Sequence, residues 1–225
     1  MATIHNTTLA PSKLEVLTAW LPSQPWYLDA GQPPKLSKAG GFRLDDPAGE
    51  VGIEFMVVRD AADGDQVAYH VPMTYRDAAE PGMEAGFIGT MEHGVLGTRY
   101  VYDAAYDWVF VTQVVALMQG HAQAQAQSSS DTADPTVRSR PALSGSDIAV
   151  TACALASNGP DGTRLRVSTT EADGAPTDLL VRLVRALPAH PAPVDERGGF
   201  VQIPWRPGSG AESTAVVITA AETNG

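Results

Sequence analysis

An α+β fold is predicted, in which a part combining helix with antiparallel sheet is followed by a smaller β-rich antiparallel domain. Three observations predict it. Apolar residues recur at helical spacing in two stretches only, Leu14 to Leu21 and Tyr106 to Leu117. Elsewhere the apolar runs are short and bounded by Gly, Pro, Asn and Asp, as strands and turns are. Between the two textures lies AQAQAQSSSDTADPTVRSRP, Ala122 to Pro141, too polar to bury a core of its own. The expected boundaries are a first domain at 1–126, a linker at 127–142 and a second domain at 143–225.

The first element expected is a short helix. Ser12 followed by Glu15 forms a capping box, Leu14, Leu17, Trp20 and Leu21 make its apolar face, and Pro22 stops it. Strands are then expected at Gly41–Leu44, Val51–Arg59, Gln66–Tyr75, Ala85–Met91 and Gly97–Tyr102. The second and third of these form a hairpin turning at Asp63-Gly64. Asp103 is placed to cap a second helix from Ala104 to about Gln125, with Tyr106, Val109, Phe110, Val114 and Leu117 toward the sheet. Beyond the linker, strands are expected at Ile148–Ala156, Arg164–Thr170, Leu179–Ala186, Gly199–Ile203 and Thr214–Ala220, with NGPDG and EADGAP as turns.

Composition narrows the function. The chain has 225 residues and a formal net charge of −11, and the acid excess is concentrated before residue 136. That charge disfavours nucleic-acid backbones and anionic lipid as partners. No run of 18 apolar residues occurs and the N-terminus lacks a signal-peptide pattern, so a cytoplasmic location is expected. The single cysteine, Cys153, excludes an internal disulfide and a multi-cysteine metal site, and its apolar run makes it a small buried hydrophobe.

Catalytic motifs are missing. There is no phosphate-binding G-x-x-x-x-G-K-[ST], GSGAES is not a dinucleotide fingerprint, and neither G-x-S-x-G nor H-E-x-x-H occurs. None of the five histidines opens the H-x-D needed for kinase-type phosphoryl transfer. No catalytic residue, no metal ligand and no cofactor is expected. Four polar residues, Glu54, His70, Glu92 and His93, would matter only if the fold brought them together as an acid/base or metal group. Asp45-Asp46 before Pro47 reads as a turn. Of the four tryptophans, Trp20 and Trp108 are expected to pack in the core or as a lid on it. Trp26-Tyr27, beyond two prolines, is expected to be partly exposed and, with Trp20 and Gln24, to form a contact surface.

The segment Trp20-Leu21-Pro22-Ser23-Gln24-Pro25-Trp26-Tyr27 resembles the W-L-P-x-Q-R-W-[YF] stretch in the N-terminal cap of actinobacterial maltokinases. The continuation through KLSK, GGFRLDDPAGEVGIEF, VAYHVPMTYR and GTMEHGVLGTRYVYDAAYD looks like a stand-alone relative of that cap, of the kind often labelled 1,4-α-glucan branching protein. The resemblance spans roughly 1–125. It implies a cystatin-like fold, a helix cradled by a curved antiparallel sheet. Pro25 departs from the family, which has an arginine there, so that arginine's contacts are not carried over.

Three readings follow. The first is a non-catalytic binding or regulatory module of sugar-kinase, trehalose or α-glucan metabolism that lacks the kinase lobes. Its partner is then a sugar kinase, a glucan-metabolising enzyme or a sugar ligand. The alternative is an enzyme of the glucan-branching type using carboxylates such as Glu54 and Glu92, although branching enzymes are built on a far larger barrel. The third is an assembly protein that forms homodimers through a sheet edge.

Overall fold

The computed structural model describes residues 9–29, 31–62, 67–127, 129, 131–143, 147–188, 198–208 and 211–223. The chain runs β1 (Leu9–Ala10), α1 (Lys13–Trp20), β2 (Leu36–Leu44), β3 (Gly52–Asp60), β4 (Val67–Arg76), β5 (Phe87–His93), β6 (Gly97–Asp103) and α2 (Trp108–Gln119). It continues through β7 (Arg138–Arg140), β8 (Ile148–Gly159), β9 (Gly162–Glu171), β10 (Pro176–Leu183), β11 (Ala186–Pro188), β12 (Gly199–Trp205) and β13 (Ser213–Glu222). The expected Asp63-Gly64 turn and the start of the chain, residues 1–8, lie outside the described residues, as does part of GSGAES.

All the described strands join one antiparallel sheet in the order β1-β5-β6-β4-β3-β2-β12-β13-β10-β9-β8, with β11 on β4 and β7 on β12. Every strand foreseen from alternation is present, with ends shifted by a few residues. The run expected at Leu179–Ala186 is two strands. It breaks after Leu183, where Val184 N–H donates to Val217 O (2.9 Å), and the chain then crosses to β4 as β11. β1, β7 and β11, of two or three residues each, are too short to leave a periodic signal.

α1 begins as predicted. The Ser12 hydroxyl accepts from Glu15 N–H (3.3 Å) and the Glu15 carboxylate from Ser12 N–H (2.7 Å). The second helix is shorter than predicted at both ends. Asp103 caps only a 3-10 turn, Ala104–Tyr106, through Ala105 N–H (3.1 Å), and Asp107 caps α2 through Val109 N–H (3.0 Å). Arg76 holds that second cap with two parallel bonds, Nε to Oδ2 (2.9 Å) and Nη2 to Oδ1 (2.8 Å). At the far end Gly120 takes a left-handed φ of 79° and donates to Ala116 and Leu117. Gln125 is thus free to form a two-bond bridge with Arg43 instead of a last helical turn.

The two faces of the sheet carry different cores. On one, α1 and the residues after it pack Val16, Leu17, Leu21 and Trp26 on Met56, Val58, Tyr69, Val71 and Met73. On the other, α2 is buried nearly all round, between β3 (Phe110 and Phe55 rings 5.3 Å apart) and the strands β7, β8 and β12. This second core, which contains Phe42, Phe55 and Phe110, continues into Leu165, Val181, Ile203 and Val217 of the later strands. The later strands therefore share a core with the earlier ones, and they meet them at three places. Trp205 of β12 pairs with Gly40 of β2, β11 pairs with the first half of β4, and Arg185 reaches Asp103. One tryptophan expectation is corrected. Trp108 is 42% exposed because it is the first residue of α2, whereas Trp20, half-buried, packs against the first core. Cys153 is also half-buried, at the rim of the second core.

Candidate functional site

The WLPSQPWY segment was the expected contact surface, and the structure corrects half of it. After the 3-10 turn Leu21–Ser23 the chain turns inward, leaving Trp26 1% and Tyr27 9% exposed. The Trp26 ring lies 5.9 Å from Trp20 and 6.0 Å from Tyr69, with the Arg185 guanidinium 5.1 Å above it. Tyr27 packs on Tyr69 at 5.3 Å and donates its hydroxyl to Asp60 Oδ2 (2.9 Å). Asp60 also accepts from the backbone of Lys35 (2.8 Å) and Ala62 (2.9 Å), so the tyrosine is tied to a structural turn. Burial, first, and Asp60 both push the Tyr27 phenol well above its usual range. Trp26 and Tyr27 thus plug the first core. What remains at the surface is the half-buried Trp20 and Gln24, the exposed Pro25 and Leu28 at 59% exposure.

The four polar candidates are not brought together. Glu54 pairs in register with Met73, which belongs to the α1 side, whereas His70 pairs with Val57 on the α2 side. Alternation along the strands therefore puts them on opposite faces of the sheet. Glu54, 4% exposed, receives Lys13 Nζ (2.5 Å), the Tyr75 hydroxyl (2.7 Å) and Gln127 Nε2 (3.1 Å). Burial and this carboxylate raise the Tyr75 phenol well above its normal value. A carboxylate so saturated is a buried structural anchor that fastens α1 and the segment after α2 to β3. Glu92 and His93 sit at the tip of the β5–β6 hairpin. Thr98 donates to Glu92 (2.8 Å), and His93 Nδ1 accepts from Val95 N–H (3.3 Å) and Leu96 N–H (3.1 Å), which makes the histidine a turn-former.

His70 is fully buried beside Phe55, its Nδ1 3.2 Å from Val184 O. A carbonyl only accepts, so this nitrogen carries the proton. Burial and, less, the Arg185 charge drive its pKa down to about 3, against the opposing hydrogen bond to Val184. The ring is neutral in the folded chain, while the unfolded chain takes a proton below its ordinary 6.5. The stability conferred is complete above pH 6.5 and is lost as the pH falls toward 3. At pH 5 the loss amounts to roughly 2 kcal/mol. Urea unfolding at pH 7 and pH 5 is expected to show this loss in the native chain and a smaller one in His70→Leu. Equal losses would refute it.

Two ion pairs that organise the region, Arg76–Asp107 and Arg185–Asp103, follow from neither alternation nor a motif. The second of two arginines inside the apolar run LLVRLVRALP is the trace that Arg185 leaves in the sequence. Among the described residues no group of three or more His, Cys, Asp or Glu is arranged to hold a metal ion. Nor is any helix there long and apolar enough to cross a membrane.

These features define a sheet-rich module with an aromatic plug under its first helix. Residues 20–107 match the family model of the maltokinase N-terminal cap domain, so that stretch is maltokinase N-terminal cap-like, as the WLPSQPWY resemblance implied. The match opens on Trp20, the last residue of α1, and closes on Asp107, the cap of α2. It thus covers the plug and strands β2 to β6, with only the last residue of α1 and none of α2. No curated protein matches the chain.

Proposed function

We propose that the chain is a non-catalytic binding or regulatory module associated with sugar-kinase, trehalose or α-glucan metabolism. The observation that carries this reading is the cap-domain match at 20–107. The geometry supports it, because Glu54 and His70, the two buried candidates for acid/base work, are committed to structural contacts on opposite faces. The cystatin-like description, the division at 127–142 and the cytoplasmic location belong to the same proposal. Its contact surface is the part of WLPSQPWY that stays outside, Trp20 and Gln24, together with Leu28.

The test has two arms. Affinity capture with the purified chain is expected to recover a sugar kinase or glucan-metabolising enzyme, or calorimetry to detect maltose, trehalose, glucosamine or glucan. Trp20→Ala with Leu28→Asp is then expected to weaken that binding about tenfold, the cost of losing a half-buried aromatic anchor and its exposed apolar neighbour. No binding in either arm would end the proposal. Glucan branching activity lost on Glu54→Gln or Glu92→Gln would replace it with the enzymatic reading.

A further inference from the structure

The two ends of the sheet are finished differently. One end is β1, two residues long and followed at once by Pro11, which has no N–H to offer another strand. The other end is β8, IAVTACALASNG, twelve residues without a charge or a proline. Among the described residues β8 pairs with β9 alone, and no strand lies on its outer edge. Edge strands of this length are normally guarded by charge, proline or bulges. β8 has the bulges, between Val150 and Ala152 and between Leu155 and Ser157, and at its start the Gln119 side chain, which bonds the Ile148 N–H (2.6 Å) and C=O (2.9 Å). Together they leave Ala152–Leu155 regular and uncovered among the described residues.

Cross-strand pairing sorts the side chains of this stretch. Val150, Cys153 and Leu155 stand opposite Thr169, Val167 and Leu165, all buried, whereas Ala152 and Ala154 stand opposite Ser168 and Arg166 on the outer face. Leu155 belongs by register to the core side and is nevertheless 40% exposed, because nothing described lies beyond the rim.

Charge is distributed along this edge as a dipole. At the start of β8 stand Asp147 and, opposite Ile148, Glu171, with Asp173 in the following turn. His121 lies 3.3 Å from Asp147. Toward the other end stand Arg166 and Arg164 on β9 and Arg182, opposite Arg164, on β10. Asp161, 4.0 Å from Arg164, offsets one of these three cations. The strand between the two ends is neutral, in a chain whose net charge is −11.

We infer that β8 pairs antiparallel with β8 of a second copy, so that one sheet runs through a two-fold dimer. A two-fold axis through Ala154 sets that residue opposite its own copy and Leu155 opposite Cys153 on the core face, which covers the exposed Leu155 of each chain. It also brings the acidic start of each β8 beside the arginine end of the other, and the dipole becomes complementary to itself. Parallel pairing would set like charges side by side. This dimer does not depend on the binding role proposed above.

Sedimentation equilibrium on the full chain is the test. A mass of twice 23.7 kDa is expected, and a monomer throughout the micromolar range would overturn the inference. Leu155→Lys is expected to yield a monomer with an unchanged circular dichroism spectrum and melting temperature. A dimer that survives it lies elsewhere on the molecule, which also overturns the inference. Arg164→Glu is expected to weaken association about tenfold, through two symmetry-related sites. Adding Asp147→Arg is expected to restore it. If the double variant associates no more tightly than Arg164→Glu, the antiparallel arrangement is wrong.

Discussion

Replacing Arg185 with methionine is expected to destabilise the fold by about 3–5 kcal/mol, the cost of leaving one member of a buried ion pair without its counter-charge. Arg185 is 1% exposed. Its Nη2 reaches both Asp103 oxygens, at 2.8 and 2.7 Å, its Nε reaches Thr163 Oγ1 at 2.8 Å, and its carbonyl accepts from His70 N–H at 2.8 Å. Methionine fills a comparable volume and keeps the backbone bond to His70, but it offers nothing to Thr163 or Asp103, so Asp103, itself 1% exposed, would remain as a desolvated carboxylate. The effect is global because of where the residue sits. Asp103 ends β6 and caps the turn before α2, Thr163 is in β9, and Arg185 is the hinge between β10 and β11. The pair thus ties the later strands to the cap-like sheet.

Urea unfolding of the full chain should show a lower midpoint for Arg185→Met, with tryptophan fluorescence and far-ultraviolet circular dichroism moving together. The double variant Arg185→Met/Asp103→Asn is expected to recover part of the loss, since asparagine keeps the cap acceptor without the charge. An unchanged midpoint for Arg185→Met would refute the assignment. So would a double variant whose loss equals the sum of the two single losses.

How far these features can be read from the sequence depends on how local their causes are. The start of α1 was legible because both halves of the Ser12/Glu15 box lie within one turn. The strands were legible because alternation is written along each of them. The start of α2 was not, because Asp103 and Asp107 are both good caps and the first of them caps a 3-10 turn instead. Trp26 and Tyr27 were misplaced for a different reason. Pro22 and Pro25 signal a surface loop correctly, but what buries the rings is Tyr69, Asp60 and Arg185, none of them near in sequence. The same holds for Glu54, whose partners Lys13, Tyr75 and Gln127 come from three separate elements. A period-two pattern places a carboxylate on a strand, but it does not say which residues will reach it. The continuity of the sheet rests in part on the single pair Gly40–Trp205, which no periodicity announces.

Gly41→Ala is expected to cost about 3–5 kcal/mol, from a backbone overlap added to an unfavourable dihedral. The cause is a bulge. Register between β2 and β3 shifts between Lys38 and Gly40, and Gly41 follows with a φ of 127°, which side chains rarely allow. A Cβ built there would sit 1.9 Å from Phe55 O and 2.6 Å from Gln127 Nε2. The carbonyl is part of the central strand and has nowhere to retreat, because the Phe55 ring is stacked on Phe42 at 4.0 Å and packed against Phe110. Alanine would therefore push β2 from β3 where Gly40 approaches the backbone of Trp205, a place where a Cβ would already meet Pro204 O at 2.9 Å. Gly49 supplies the control, since its φ is 74° but a Cβ there meets nothing within 4 Å. Gly49→Ala isolates the dihedral penalty, about 1 kcal/mol. Thermal unfolding is expected to fall by roughly 10 °C for Gly41→Ala and by only a few degrees for Gly49→Ala. Equal shifts in the two variants would show that the bulge yields to a methyl group, and that the junction between the cap-like sheet and the later strands does not depend on it.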